Sequence, residues 1–187
     1  FADVRVSGGE AAGVAIARFI EQQIPVIVLS DVGTIPPEVR EQLFKWMDSG
    51  GVLIRFAGRR LAGATDDDLV PVRLRRGGRV LGGSLSWEQP QKLGSFSRES
   101  PFADMLVPGD VSVTRQVLAE PDGRLAERTW ASLADGTPLV TAERRGKGLL
   151  ALFHVTADTS WSNLPLSGAF VEMLRRTVGL GSAVNRP

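Results

Sequence analysis

The one histidine of the 187-residue chain, His154, ends an apolar run in "GLLALFHVTAD". An imidazole serves as a general base when a nucleophile or water lies within hydrogen-bond reach, and a carboxylate such as that of Asp158 can orient it. Ser30, which ends an earlier apolar run, would complete a Ser30–His154–Asp158 triad, although it lacks the glycine elbow that exposes a serine nucleophile. The alternative is a strand-end histidine that bonds to the backbone or to a nearby hydroxyl. We favour the alternative.

Composition excludes several other chemistries. The chain has no cysteine, so a thiol nucleophile, a disulfide framework and a cysteine zinc site are excluded. Lysine and arginine number 22 against 21 acidic residues, which argues against a nucleic-acid surface. The glycine-rich stretches "GRRLAG" and "RGKG" match no phosphate-binding motif, and we expect no cofactor and no metal. The acidic run Asp66–Asp68 lacks the spacing of a calcium loop and is interpreted as solvated.

The first third of the chain predicts alternating strands and helices. "FADVRV" indicates a short strand, and "GEAAGVAIARFIEQQ" has apolar residues at helical spacing. "PVIVLSDV" is a continuous β-branched run, typical of a buried parallel strand. "GTIPPEVREQLFKWMDSGG" predicts a helix with prolines in its first turn and glycines at its end, before a second buried strand, "GVLIRFAG". Residues 1–58 therefore predict a β-α-β-α-β unit with a parallel sheet.

The middle of the chain has a different pattern. Between residues 72 and 147, short extended runs alternate with the turn sequences "RRGGR", "EPDG", "ADGT" and "RGKG". This pattern predicts a β-rich antiparallel insert in a mostly parallel α/β sheet. Gly148–Val155 then predicts a buried strand, and "NLPLSGAFVEMLRRTV" a closing helix. We expect one domain over residues 1–180 and a linker tail over residues 181–187, cut from a longer protein.

The carboxyl ends of the predicted parallel strands define a candidate site. Ligands in open α/β sheets bind outside these ends. We therefore expect the ligand-binding candidates at one edge of the sheet: Ser30, Asp31, Gly58, Arg59, His154, Asp158 and Trp161.

Two segments carry a family resemblance: "VIVLSDVGTIPPEVREQLFKWMDSGGVLIRFAG" and "GTPLVTAERRGKGLLALFHVTADTSWSNLPLSGAFVEMLRR". They resemble the class I glutamine amidotransferase-like domain inside large bacterial membrane proteins that begin with an aerotolerance-regulator (Bat-type) double-transmembrane segment. "TADTSWSNLPLSGAFV" is the most specific part. The resemblance covers nearly the whole chain and implies a flavodoxin-like α/β sandwich and a membrane-anchored parent protein.

The resemblance also implies where a catalytic triad would stand. Active members of the superfamily place a cysteine on a strand-to-helix turn, and a histidine and a glutamate at the end of a later strand. Here the turn reads "AGRRLAG", with no cysteine or serine, and Thr156 stands where the glutamate is expected. His154 alone remains, as a vestigial candidate, so cysteine-dependent glutaminase activity is excluded and no catalytic residue is expected.

We therefore predict a non-catalytic amidotransferase-like module that binds a partner domain or a small ligand. The partners would be domains of the same polypeptide or cell-envelope proteins, with the domain itself soluble and a periplasmic location possible. The alternatives are a hydrolase that uses His154 with a serine or an activated water, and a structural domain that forms a homo-oligomer through an edge of the β-rich insert.

Two further groups of residues have both a functional and a structural interpretation, and we favour the structural one for each. Arg73, Arg75, Arg76 and Arg79 would bind an anion or a lipid headgroup, or keep a hairpin edge soluble, and we favour solubility. Trp87, Trp130 and Trp161 would form a sugar-stacking face or anchor the core, and we expect Trp161 to pack over the sheet edge.

Overall fold

The structure is a computed structural model, and it describes residues 5–9, 11–64, 69–75 and 84–182. One seven-stranded sheet runs in the order β1-β2-β7-β6-β5-β3-β4. Its strands are β1 (Val26–Ser30), β2 (Val52–Phe56), β3 (Ser84–Phe96), β4 (Ser112–Val117), β5 (Thr129–Leu133), β6 (Pro138–Arg145) and β7 (Gly148–Phe153). The helices are α1 (Ala12–Glu21), α2 (Pro37–Asp48), α3 (Arg59–Gly63), α4 (Leu125–Arg128) and α5 (Gly168–Ser182), with a 3₁₀ turn at Leu164–Leu166.

Three strands form the parallel part of the sheet. β1 pairs with β2, and β2 pairs with β7, both in parallel. The register aligns the last residues of the three strands, Ser30, Phe56 and Phe153, in one row. The carboxyl ends of β1, β2 and β7 therefore lie at the same edge of the sheet, as predicted from the continuous apolar runs.

Helices cover both faces of this parallel part. The side chains of Leu53 and Leu150 pack with α1 and α2 on one face. The side chains of Ile54 and Ala151 point the other way, into a cluster that includes Met173 of α5. Alternation along each strand sends successive side chains to opposite faces, so β7 is apolar on both. β2 differs in one position, because the buried Arg55 lies on the same face as Leu53 and donates hydrogen bonds to the carbonyls of Val32 and Leu69.

The antiparallel part is larger than the sequence predicted. Of the six pairings between the seven strands, the four that join β7-β6, β6-β5, β5-β3 and β3-β4 are antiparallel. The prediction of a mostly parallel sheet was therefore wrong, although the α/β class is confirmed. The physical reason is connection length, because the two-residue turn at Gly146-Lys147 returns β7 beside β6 and a parallel pairing would need a long crossover.

The antiparallel part curls back to the end of β7. Val117 of β4 donates its backbone N–H to the carbonyl of His154 over 2.9 Å, and Thr114 donates to the carbonyl of Trp161 over 2.7 Å. The chain that follows β7 therefore covers the outer edge of β4. This closure brings β4 beside the carboxyl ends of the parallel strands.

The two ends of the chain depart from the predictions. Residues 1–4 of the predicted first strand lie outside the described residues, and Arg5 and Val6 are not in a strand. α5 continues to Ser182, two residues into the predicted linker, and residues 183–187 lie outside the description. Among the helices that the structure describes, none is long and apolar enough to span a membrane.

Candidate functional site

His154 lies in the core, and both of its ring nitrogens are hydrogen-bonded. Nδ1 lies 2.9 Å from the carbonyl oxygen of Val117, and Nε2 lies 2.9 Å from Oγ1 of Thr141. Because a carbonyl only accepts, Nδ1 carries the proton, and Nε2 accepts the hydroxyl proton of Thr141. The side chains of His154 and Thr141 are fully buried.

Burial keeps the His154 imidazole neutral. Removal from water lowers the pKa of His154 from 6.5 to about 4, against the opposing effect of the hydrogen bond to the Val117 carbonyl. The ring is thus a neutral donor and acceptor within the core. A substrate at the surface has no contact with it.

The three residues of the hypothetical triad are not brought together. Ser30 and Phe153 occupy the same row of the sheet with β2 between them, a separation of roughly 10 Å across two strand spacings. Asp158 is exposed, and its Oδ1 accepts hydrogen bonds from the backbone and the hydroxyl of Ser160. The hydroxyl beside His154 belongs to Thr141, which is as buried as the imidazole.

The side chain of Asp31, which follows β1, lies at the start of α3. Its Oδ1 accepts the backbone N–H groups of Arg60 and Leu61 over 2.9 and 3.1 Å. Asp31 has a φ of 51°, a left-handed conformation that aspartate tolerates better than most residues. A Cβ at Gly58 would overlap Cγ of Asp31, so glycine at position 58 makes room for the carboxylate.

A cleft of about 570 Å³, which we call the strand-end cleft, lies beside Asp31. The loops that follow β1, β2 and β7 form one wall, and residues of β3 and β4 form the other. Its lining residues are Asp31, Arg59, Arg60, Ser86, Thr114, Arg115, Thr156, Asp158, Ser160 and Trp161.

Four of the seven predicted site residues line the strand-end cleft: Asp31, Arg59, Asp158 and Trp161. The other three do not line it. Ser30 is exposed on the edge strand, Gly58 is buried beneath Asp31, and His154 is in the core. That the seven bind a ligand stays a prediction, and these three lie outside the cleft because strand ends that share an edge need not point their side chains into the same space.

Arginines dominate the charge of the strand-end cleft. Arg59 and Arg60 are exposed at the start of α3, and Arg115 lies over the indole ring of Trp161 at 5.8 Å from its centre. Among the residues that the structure describes, none forms an ion pair with these three arginines. Hydrogen bonds from Ser160 lower the pKa of Asp158, so this carboxylate is held by neutral donors.

Sequence reasoning missed Ser86, Thr114 and Arg115. Ser86 and Arg115 are register partners in the β3–β4 pair, and Thr114 reaches the cleft only because β4 closes onto Trp161. No local pattern marks them, since they look like ordinary polar positions of alternating strands. Arg60, Thr156 and Ser160, by contrast, lie within two residues of predicted positions.

A second cleft, of about 960 Å³, includes Arg73 and Arg75 in its lining, while Arg76 and Arg79 lie outside the described residues. Glu143 is 3.2 Å from Arg128 and 3.1 Å from Arg145 here, so two of the arginines of this cleft are paired.

The remaining predictions concern the aromatic and acidic residues. Trp130 packs edge-on against Phe102 at 5.5 Å, and Trp161 is 5% exposed and belongs to the core cluster. These contacts indicate that Trp130 and Trp161 anchor the core rather than form an open surface on which a sugar would stack. Asp66–Asp68 lies outside the description, and the described part of the chain contains no group of His, Asp and Glu residues that would hold a metal ion.

Comparisons with known proteins show the fold alone. No family model and no curated protein matches the chain. The cytoplasmic protein STM3548 from Salmonella typhimurium is similar in structure, with a TM-score of 0.67 and 14% identity, over 88% of this chain and 73% of that one. The cytoplasmic protein STM1381 from Salmonella typhimurium LT2 has a TM-score of 0.59 and 13% identity, over 94% and 86%. The names of both proteins state a location and no activity.

Proposed function

We propose that this chain is a non-catalytic, glutamine amidotransferase-like module that binds a small ligand or a partner domain at the strand-end cleft. The observation that carries the proposal is the placement of His154. The residue that would be the general base of an enzyme is fully buried, with Thr141 and Val117 on its two nitrogens. A polar cleft nevertheless remains at the edge where α/β proteins bind ligands.

The amidotransferase-like and flavodoxin-like part of the proposal is supported by β1, β2 and β7. These strands are parallel, and helices pack on both faces, as in a flavodoxin-like sandwich. At the turn after β2, where active members of the superfamily place their cysteine, the peptide N–H groups of Arg60 and Leu61 bind the carboxylate of Asp31. A module that retains the fold but has Asp31 bound at the catalytic turn is better suited to bind a ligand than to turn over a substrate.

The membrane-anchored parent and the envelope partners belong to the same proposal. They rest on the resemblance of "TADTSWSNLPLSGAFV" to the domain inside Bat-type membrane proteins. In the proposed arrangement, segments outside this sequence attach the protein to the membrane, and the domain binds a neighbouring domain or an envelope ligand on the periplasmic side.

The two alternatives have less support. A hydrolase with an activated water needs a free imidazole nitrogen at a surface, whereas Nε2 of His154 accepts from buried Thr141. Oligomerisation through the β-rich insert needs an open edge, whereas the outer edge of β4 is bonded to residues His154 and Trp161.

The test is a turnover screen of the purified chain with glutamine, p-nitrophenyl acetate and p-nitrophenyl glycosides, beside His154→Asn. Asparagine is neutral and keeps an amide donor near the position of Nδ1. We expect no turnover above the protein-free background from either protein. Turnover by the native chain that His154→Asn abolishes, while the variant stays folded by circular dichroism, would overturn the proposal.

A further inference from the structure

We infer that the strand-end cleft binds a small organic anion that also carries hydroxyl groups, such as a sugar phosphate or a hydroxy acid. This inference deepens the proposed function and rests on its binding role. It names the class of ligand, which neither the fold nor the comparisons specify.

The net charge of the cleft favours an anion as the ligand. Its lining has three guanidinium groups against two carboxylates, one net positive charge. Each carboxylate is already held by neutral donors, Asp31 by peptide N–H groups and Asp158 by Ser160. No described residue forms an ion pair with the three arginines, whose forked donors suit carboxylate and phosphate oxygens.

Arginines elsewhere on the molecule, unlike those of the cleft, form ion pairs with carboxylates. Arg176 is paired with Asp104 and with Glu172, and Arg128 is paired with Glu143. Pairing is thus common where an arginine is partly buried on this protein. Arg115 is half-buried as well, yet its contact is the ring of Trp161, which orients the guanidinium without neutralising it.

The hydroxyl groups of the cleft indicate what else the ligand carries. Thr114 donates to the carbonyl of Trp161 over 2.9 Å, Thr156 to the carbonyl of Asp158 over 3.3 Å, and Ser160 to the Asp158 carboxylate over 2.5 Å. Their protons are committed, so these oxygens are left as acceptors. A ligand that satisfies them must donate, and ligand hydroxyl groups do so.

The two walls give the ligand two points of contact. Arg59 and Arg60 begin α3 after the parallel strand β2, and Arg115 belongs to β4 of the antiparallel part. Backbone bonds from Thr114 and Arg115 to the Trp161 carbonyl, of 2.7 and 3.2 Å, tie the walls together. The arginines are therefore presented to the cleft from both of its walls.

Isothermal titration calorimetry at low ionic strength tests the inference. The probes are glucose 6-phosphate, gluconate, inorganic phosphate and glucose. We expect at least one of the two hydroxylated anions to bind more tightly than inorganic phosphate, and glucose not to bind measurably. Tighter binding of glucose 6-phosphate indicates a phosphate, and tighter binding of gluconate a carboxylate.

Two variants and a control locate the binding. Arg115→Gln and the exposed pair Arg59→Gln/Arg60→Gln should each weaken binding at least ~10-fold, the loss expected for a charge-assisted hydrogen bond. Arg144→Gln, at an exposed arginine of β6 away from the cleft, should change affinity less than about twofold if contacts outweigh net charge. The double variant alters only exposed side chains, so it stays informative if Arg115→Gln unfolds.

Absence of binding by both hydroxylated anions overturns the inference, as does equal weakening by Arg144→Gln. Binding of inorganic phosphate that equals or exceeds theirs also overturns it, because the hydroxyl acceptors then contribute nothing. These failures are distinct from failure of the proposed function, which is detected as turnover in the substrate screen.

Discussion

The imidazole of His154 joins two strands of the sheet that are far apart in the sequence. Thr141 of β6 lies 2.9 Å from Nε2, and the carbonyl of Val117 in β4 lies 2.9 Å from Nδ1. The backbone of His154 repeats the connection, since it donates to Leu139 and accepts from Val117. His154 therefore closes the curl that brings β4 beside the end of β7.

Replacement of His154 by alanine should destabilise the protein by about 3 kcal/mol. The substitution leaves the Val117 carbonyl and the Thr141 hydroxyl buried without their partner, and it opens a cavity. Urea unfolding followed by circular dichroism measures the change. The control is Asp158→Ala at an exposed position, with an expected cost below about 1 kcal/mol. Equal costs for the two variants would contradict a structural role for the imidazole.

The stability of the protein should fall as the pH drops from 6.5 to about 4. The folded-state pKa of His154 is lowered to about 4, so in this window the unfolded chain binds a proton that the folded protein excludes. The slope approaches roughly 1.4 kcal/mol per pH unit where only the unfolded state is protonated. Above pH 6.5 this contribution is fully present, and below pH 4 it is lost.

Urea unfolding at several pH values between 4.5 and 7 measures this slope. The same series on His154→Asn, which has no titrating imidazole, is the control and should be nearly flat. The carboxyl groups with lowered pKa, Asp104, Asp158 and Glu172, stabilise the protein over most of this range and lose that contribution mainly at lower pH. Parallel curves for the two proteins would show that His154 is not the group responsible.

Alanine at position 58 should destabilise the protein by about 2 kcal/mol or more, because its Cβ would overlap Cγ of Asp31. The backbone is not the cause, since Gly58 has an extended φ of 172° that any residue adopts. Gly63→Ala is the matched control, because a Cβ there meets nothing within 4 Å. Thermal unfolding of both variants measures the difference.

A double-mutant cycle tests whether Asp31 is the obstructing group. Asp31→Gly removes the carboxylate and suits the φ of 51°. In the Asp31→Gly background, Gly58→Ala should cost at least about 1 kcal/mol less than in the native chain. An unchanged cost would mean that the overlap lies elsewhere.

Asp31→Asn should retain most of the stability that Asp31→Ala loses. Asparagine keeps an Oδ1 acceptor for the N–H groups of Arg60 and Leu61 and tolerates a positive φ, whereas alanine does neither. We expect a loss of about 2 kcal/mol for alanine and less than half of that for asparagine, measured by urea unfolding. A loss for asparagine greater than half of the loss for alanine would show that the negative charge, rather than the acceptor geometry, stabilises α3.

Local signals account for the elements that were predicted correctly. The β-branched run before Ser30 and the Gly50-Gly51 end of α2 predicted β1, α2 and β2 because side-chain periodicity and cap residues act within a few positions. The site residues predicted from strand ends, such as Asp31 and Arg59, follow from the same local elements. Pairing order follows no local signal, which is why the antiparallel part was underestimated.

The sequence by itself determined the α/β class, the absence of a thiol nucleophile, and a candidate edge that contains Asp31, Arg59 and Asp158. The tertiary structure alone decided that His154 is buried and that Arg115 lines the cleft. It also decided that the carboxylate of Asp31 occupies the space that a Cβ at Gly58 would fill. The physical reason is separation along the chain. Val117 and His154 are 37 residues apart, and a contact of that kind depends on how the whole sheet curls.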